Sequence, residues 1–253
     1  MSTTQAVRPA VSVQVTGLRR IIERYFYFVM SLAIATVVIS GFSLTIGNGL
    51  LHPRVTPPAL LWVHGVDFFG WMGLFILQSA LVRIRRVKLH KLLGWFFAGF
   101  AILIPILGIA ITRVMSRFEI ARLHRDPIDR ALFLPIPFQD MLAFTAVFGL
   151  AVLWRKRPEY HRRLMLIAAC VLTAAAWGRM PAPTSVPYLS FYCGVDGLIL
   201  VGMLRDLIVN RRVHAVYLWS MPPMVLLQLG AVAVYVHRAA WWIPIGKAFI
   251  GRV

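Results

Sequence analysis

The feature that most limits what this chain can fold into is its succession of long apolar runs. They fall at 26–46, 59–82, 93–115, 136–154, 164–180, 190–209 and 216–237. A helix needs roughly 20 apolar residues to cross a hydrocarbon core, so these read as seven spans. Inside lipid every backbone N–H and C=O must be paired within the chain, which selects helices or closed barrels, and runs of this length are helical. The predicted fold is therefore all-α and polytopic, with spans 2–5 as a four-helix core. Only 14% of the 253 residues are charged and 59% are hydrophobic, which leaves no soluble domain beside the spans. Three regions result: a basic amphipathic segment at 1–25, the membrane domain at 26–237 and a tail at 238–253.

The formal charge of +18 raises the question of nucleic acid, but its distribution answers it. Of the 27 Lys and Arg residues, 17 fall on one side of the predicted spans, in clusters at 8–24, 83–91, 155–163 and 205–212. That asymmetry follows the positive-inside rule and puts the richer side in the cytoplasm. No folded soluble module presents the charges to a nucleic acid, so the partner expected is the bilayer. An odd number of crossings from an inner N-terminus leaves the C-terminus periplasmic. The aromatic residues agree: Tyr25, Trp95, Trp154, Tyr217 and Trp219 would line the inner interface, and Trp62, Trp177, Tyr188, Tyr192, Trp241 and Trp242 the outer one. Arg outnumbers Lys 23 to 4, which fits a bacterial source and hence the inner membrane.

Within 18–26, Leu18, Ile21, Ile22, Tyr25 and Phe26 recur at helical spacing between basic residues, predicting an amphipathic helix on the inner face. No secretory cleavage site follows it, and the N-terminus is expected to be retained. The connection at 116–135 is expected to form one or two short surface helices, with Asp126-Pro127 as a helix start. Pro222 and Pro223 are placed to kink the last span. Cys170 and Cys193 have no CxxC spacing and read as buried apolar thiols.

Spans 2 and 4 resemble each other. Asp67 precedes LVRIRRVKLHKLLGW and Asp140 precedes LWRKRPEYHRRLMLI, so each pairs an early acid with a histidine that opens the next span. This suggests that spans 2–3 and 4–5 are parallel repeats about an axis along the membrane normal.

Ionisable groups inside spans are the informative ones, because each is costly in lipid unless paired or hydrated. His64, Asp67, Asp140, Arg179 and Asp196 all fall in the outer third at a similar depth. On span 2, His64, Asp67, Trp71 and Gln78 lie within an arc of about 60°, a polar stripe suited to a bundle interior. His64 and Asp67 can touch across three residues, and Arg179 can pair with Asp140 or Asp196. The leading expectation is a non-enzymatic protein with an outward-facing polar pocket for a small ligand or proton, formed by His64, Asp67, Trp71, Asp140, Arg179 and Asp196. An interhelical network that only fixes packing would make the chain an accessory subunit, with a membrane-protein partner or a second copy. No metal site is expected: His52, His124 or His237 could join His64 and Asp67, but no HxxxH or HExxH pair occurs. No GxSxG, Walker or GxGxxG motif provides a hydrolase or nucleotide site.

On the inner side, His90 and His161 open spans 3 and 5 at matching depth. Two opposed histidines in a four-helix bundle can ligate haem iron, which gives the alternative of a b-type redox protein exchanging electrons with quinone. At LHKLLGW and HRRLMLIA the chain resembles a family of uncharacterised bacterial multi-pass membrane proteins, over about 59–180. That resemblance implies importance for His64, His90, Asp140 and His161. The four helices are also distantly similar to cytochrome b561, departing from it in lacking four in-span histidines.

Overall fold

The computed structural model describes residues 11–181 and 187–252; Arg8 and the side chains of Leu18 and Tyr188 lie outside the described residues. Ten α-helices follow in order: α1 Val11–Ile46, α2 Ala59–Arg83, α3 Val87–Leu123, α4 Pro127–Phe133, α5 Pro135–Leu153, α6 Pro158–Val171, α7 Ala174–Trp177, α8 Pro187–Asn210, α9 Ala215–Val236 and α10 Ile243–Ile250. A π-helical turn, Gly47–Leu51, ends α1. No strand occurs among the described residues.

Among the described residues, five segments are long and apolar enough to cross a membrane: Arg19–Ile46, Ala59–Arg83, Val87–Leu123, Pro127–Leu153 and Ala215–Val236. Their outward faces carry large apolar side chains such as Val66, Leu92 and Leu226, each at least 70% exposed, which is the surface lipid would cover. The protein is thus an all-helical integral membrane protein. α6 has 14 residues, about 21 Å, and is too short to cross alone. It stops at Leu172–Thr173 before the single turn of α7. α8 has 24 residues, but Asp196, Arg205 and Asp206 interrupt its apolar run.

Sequence expectations are corrected at several points. The basic segment at 18–26 is the first part of α1 and not a separate surface helix; with no Gly or Pro between Gly17 and Gly41, nothing breaks the helix before the span. α3 continues through half of the expected outer connection, to Leu123. Asp126 does start the next helix, accepting from the Ile128 N–H at 2.9 Å with Pro127 behind it. Cys193 is exposed on α8, whereas Cys170 is buried. α9 runs unbroken through Pro222 and Pro223.

The core is centred on α6. Every residue from Leu166 to Val171 is buried, because α1, α5, α8 and α9 surround it. α2 packs on α1 and α3, and α3 packs on α5. The interior contains Ile34 and Val38 of α1, Phe68, Trp71 and Phe75 of α2, Ile104 of α3, and Phe144 and Val147 of α5. Gly41 of α1 touches the backbone at Ala176 so closely that no Cβ fits, which lets α7 lie against α1. α10 turns back onto α4 through the Trp242 indole, which donates to the Ala131 carbonyl at 2.9 Å. Arg117 of α3 donates to the Ile250 carbonyl at 3.1 Å, so the region expected as a tail is a docked helix.

Contacts at the basic end show that neighbouring helices alternate in direction. At the basic end Arg83, closing α2, stacks on Tyr25 of α1, and Trp154, closing α5, meets Trp219 near the start of α9. Arg163, opening α6, reaches Asp206 near the end of α8.

Candidate functional site

At the basic end two candidate ligands meet closely. His90 lies in the first turn of α3 and His161 in the first turn of α6, both half-buried. Their ring centroids are 6.3 Å apart and their planes cross at 74°. His161 Nδ1 is 2.8 Å from the Ala151 carbonyl at the end of α5. A carbonyl only accepts, so the proton sits on Nδ1 and the Nε2 lone pair is free. His90 Nδ1 is buried with no hydrogen-bond partner. The side-chain amide of Gln78 is also buried without partners.

The outer residues form two groups. In the first, Arg179 stacks over the Phe42 ring at 4.1 Å, donates to Thr45 Oγ1 at 3.2 Å and to the Ala175 carbonyl, and stands within electrostatic reach of His64. His64 packs against Phe68, and Phe68 against Phe42. In the second, Gln139 donates to Asp140 and, at 2.7 Å, to the Tyr192 hydroxyl, while Gln228 donates to Asp196 at 3.1 Å. Tyr192 also interacts with Asp140 and Asp196, so both carboxylates address one phenol.

Asp67 faces the interior of the bundle, 5% exposed, with both carboxyl oxygens unpartnered. His64 Nδ1 is unpartnered as well, so the histidine and aspartate of this stripe do not hydrogen-bond. Trp71 is buried in a stack on Phe75 and edge-on to Phe144. Arg179 pairs with neither Asp140 nor Asp196; among the described residues the ion pairs are Arg130–Glu119, Arg163–Asp206, Arg205–Asp206 and Arg238–Asp129.

Sequence reasoning missed the most deeply buried charges. Arg163 donates to Asp206 through Nε at 2.6 Å and Nη2 at 2.7 Å, a bidentate pair with both side chains 1% exposed or less. Arg205 and Asn210 reach the same carboxylate at 2.9 and 3.1 Å, and Arg163 also donates to the Glu159 carbonyl at 2.6 Å. Removing one partner of such a pair leaves a stranded charge and costs about 3–5 kcal/mol. The available signal was Asp206 itself, an acid set among cations at the end of an apolar run. Next to this pair, His214 caps α9 by accepting from the Val216 N–H at 3.3 Å, and its ring packs edge-on against Tyr160.

Comparison with protein-family profiles, curated proteins and solved structures gave no match. No group of three or more His, Cys, Asp or Glu side chains suited to a metal ion occurs among the described residues.

Proposed function

We propose that this is a seven-pass protein of the bacterial cytoplasmic membrane, basic end inward, that holds a b-type haem between His90 and His161 and carries single electrons. In this reading α6–α7 and α8 complete the seven passes. The observation that carries the haem reading is the ring-to-ring approach of the two histidines at 6.3 Å. His90 and His161 would hold the iron through one imidazole nitrogen each. His161 has the tautomer that a ligand needs, with Nδ1–H tied to a carbonyl and Nε2 available. The donor set is two imidazoles, with no third His, Cys, Asp or Glu grouped with them among the described residues. Zinc wants one or two more, whereas haem iron brings four nitrogens of its own.

The proposed duplication fits the same site. Gln78 lies eleven residues after Asp67, and Ala151 eleven after Asp140. Ala151 carries the carbonyl that His161 bonds, and the Gln78 backbone lies within electrostatic reach of His90. Each hairpin thus supplies one imidazole, as a two-fold axis along the membrane normal would require. Lys91, within electrostatic reach of His90, is the cation available to a propionate. When bound, the haem would supply a one-electron couple, with a quinone dissolved in the bilayer as the redox partner. The test is the optical spectrum of the full chain purified from iron-replete cells. A Soret band is expected in the wild type and absent from both His90→Ala and His161→Ala. A wild-type sample without that band overturns the reading.

A second reading is favoured by the outer carboxylates. Asp67 has no partner, and Asp140 contacts only the neutral Gln139 and Tyr192. Carboxyl groups so placed suit proton binding in a proton-coupled or small-ligand transport unit. Reconstituted chain should then take up protons in response to a pH step, and Asp67→Asn should lose at least half of that uptake. Identical uptake by the variant removes Asp67 from any such path.

A further inference from the structure

Beyond the histidines, the basic end contains a cavity of about 380 Å³ between the start of α1, the start of α6 and the loop joining α8 to α9. Its walls include Arg19, Arg162, Arg163, Arg212 and His214, with Glu159 as the only carboxylate among the lining side chains. The nearest other acid, Asp206, is already committed to Arg163 and Arg205. With Arg163 neutralised by Asp206, the guanidinium groups of Arg19, Arg162 and Arg212 face one space with Glu159 to offset them.

Hydrogen-bond donors beside the cavity point the same way. Arg205 is 2% exposed, yet its Nε and Nη2 have no partner, and Arg162 Nε is likewise buried and unpaired. Both guanidiniums stand over the Tyr27 ring, at 5.6 and 5.5 Å, and the Tyr27 hydroxyl is also unpartnered. Buried donors without acceptors are costly, and of these groups Arg162 belongs to the cavity wall, where an anion would give its guanidinium an acceptor.

We propose that this cavity binds a phosphate-bearing anion, either the phosphodiester of an acidic lipid headgroup or a free phosphate group. The chemistry is the same for both sources: a tetrahedral oxyanion accepts from planar guanidinium forks, which engage two oxygens at a time. The size is that of a small-ligand pocket, and basic pockets at the ends of membrane helices are suited to anionic headgroups. Arg163, locked by Asp206, forms the fixed floor. Arg19 and Arg212, exposed at the rim, are free to close on a ligand.

The experiment follows the thermal unfolding midpoint of the full chain in neutral detergent. One arm titrates inorganic phosphate against chloride of equal ionic strength. The other adds phosphatidylglycerol against phosphatidylcholine. A rise with inorganic phosphate identifies a free phosphate group as the source; a rise with phosphatidylglycerol alone identifies a lipid headgroup. The rim variant Arg19→Gln/Arg212→Gln should need about tenfold more of the active probe, the loss expected of charge-assisted contacts. Arg20→Gln, exposed outside the cavity, should respond like the wild type. The proposal is overturned if neither probe raises the midpoint, or if the rim variant responds as Arg20→Gln does.

Discussion

At the scale of single residues, His214 couples a helix cap to a protonation state. Its ring nitrogen accepts from the Val216 N–H, which only a neutral imidazole can do. Burial holds its pKa below the ordinary 6.5, and the nearby Arg163 guanidinium lowers it further. A histidine whose folded value is depressed contributes stability that is complete above 6.5 and is lost as pH falls through the lower folded value. The unfolding midpoint should therefore drop between pH 7.5 and 5.5, and His214→Asn, which caps without titrating there, should flatten part of that drop. Parallel curves for the two proteins would show that the cap does not titrate. Much of this scale was legible in the sequence. Helical periodicity set Asp67, Trp71 and Gln78 on one stripe of α2, and all three have polar or ring atoms buried in the structure. The matched depth of His90 and His161 was also readable. Their meeting was not, because it depends on how the α2–α3 hairpin lies against α5–α6, and no periodicity within one helix encodes that. The Arg163–Asp206 pair was hidden for the same reason: its partners are 43 residues apart, and each looked like one more charge at a loop.

At the scale of elements, the sequence located the apolar runs well and their ends less well. α1 and α3 exceed the predicted spans by whole turns, with 36 and 37 residues, since helix propagates through polar residues until something stops it. The stop after α3 is His124, in the left-handed region at φ 52°, followed by the Asp126-Pro127 start of α4. Only the second signal was visible beforehand. The tail at 238–253 was too short to read as an element by itself, yet α10 docks there because Gly246 admits the Ala131 backbone, with atoms 2.9 Å from where a Cβ would be. Close packing between elements chooses such residues, and a sequence shows the glycine without showing its neighbour.

At the scale of the whole molecule, the alternating helices put Arg83, Arg163 and Arg205 at one end, so a single measurement of sidedness orients the protein. On a background with Cys170→Ala and Cys193→Ala, Arg211→Cys should label only from the cytoplasm and His124→Cys only from the periplasm. The reverse pattern would invert the proposed orientation and place both the histidine pair and the arginine-lined cavity on the periplasmic side. The placement of α6 also bears on how such a molecule is made. Translation delivers α6 before α8 and α9, two of the four helices that later enclose it. A fourteen-residue segment opening with charged side chains has little reason to stay among lipids unaided. The nascent protein must therefore keep its future centre against α1 and α5 until the remaining walls emerge from the ribosome, so assembly of this fold finishes only after its last long helix is synthesised.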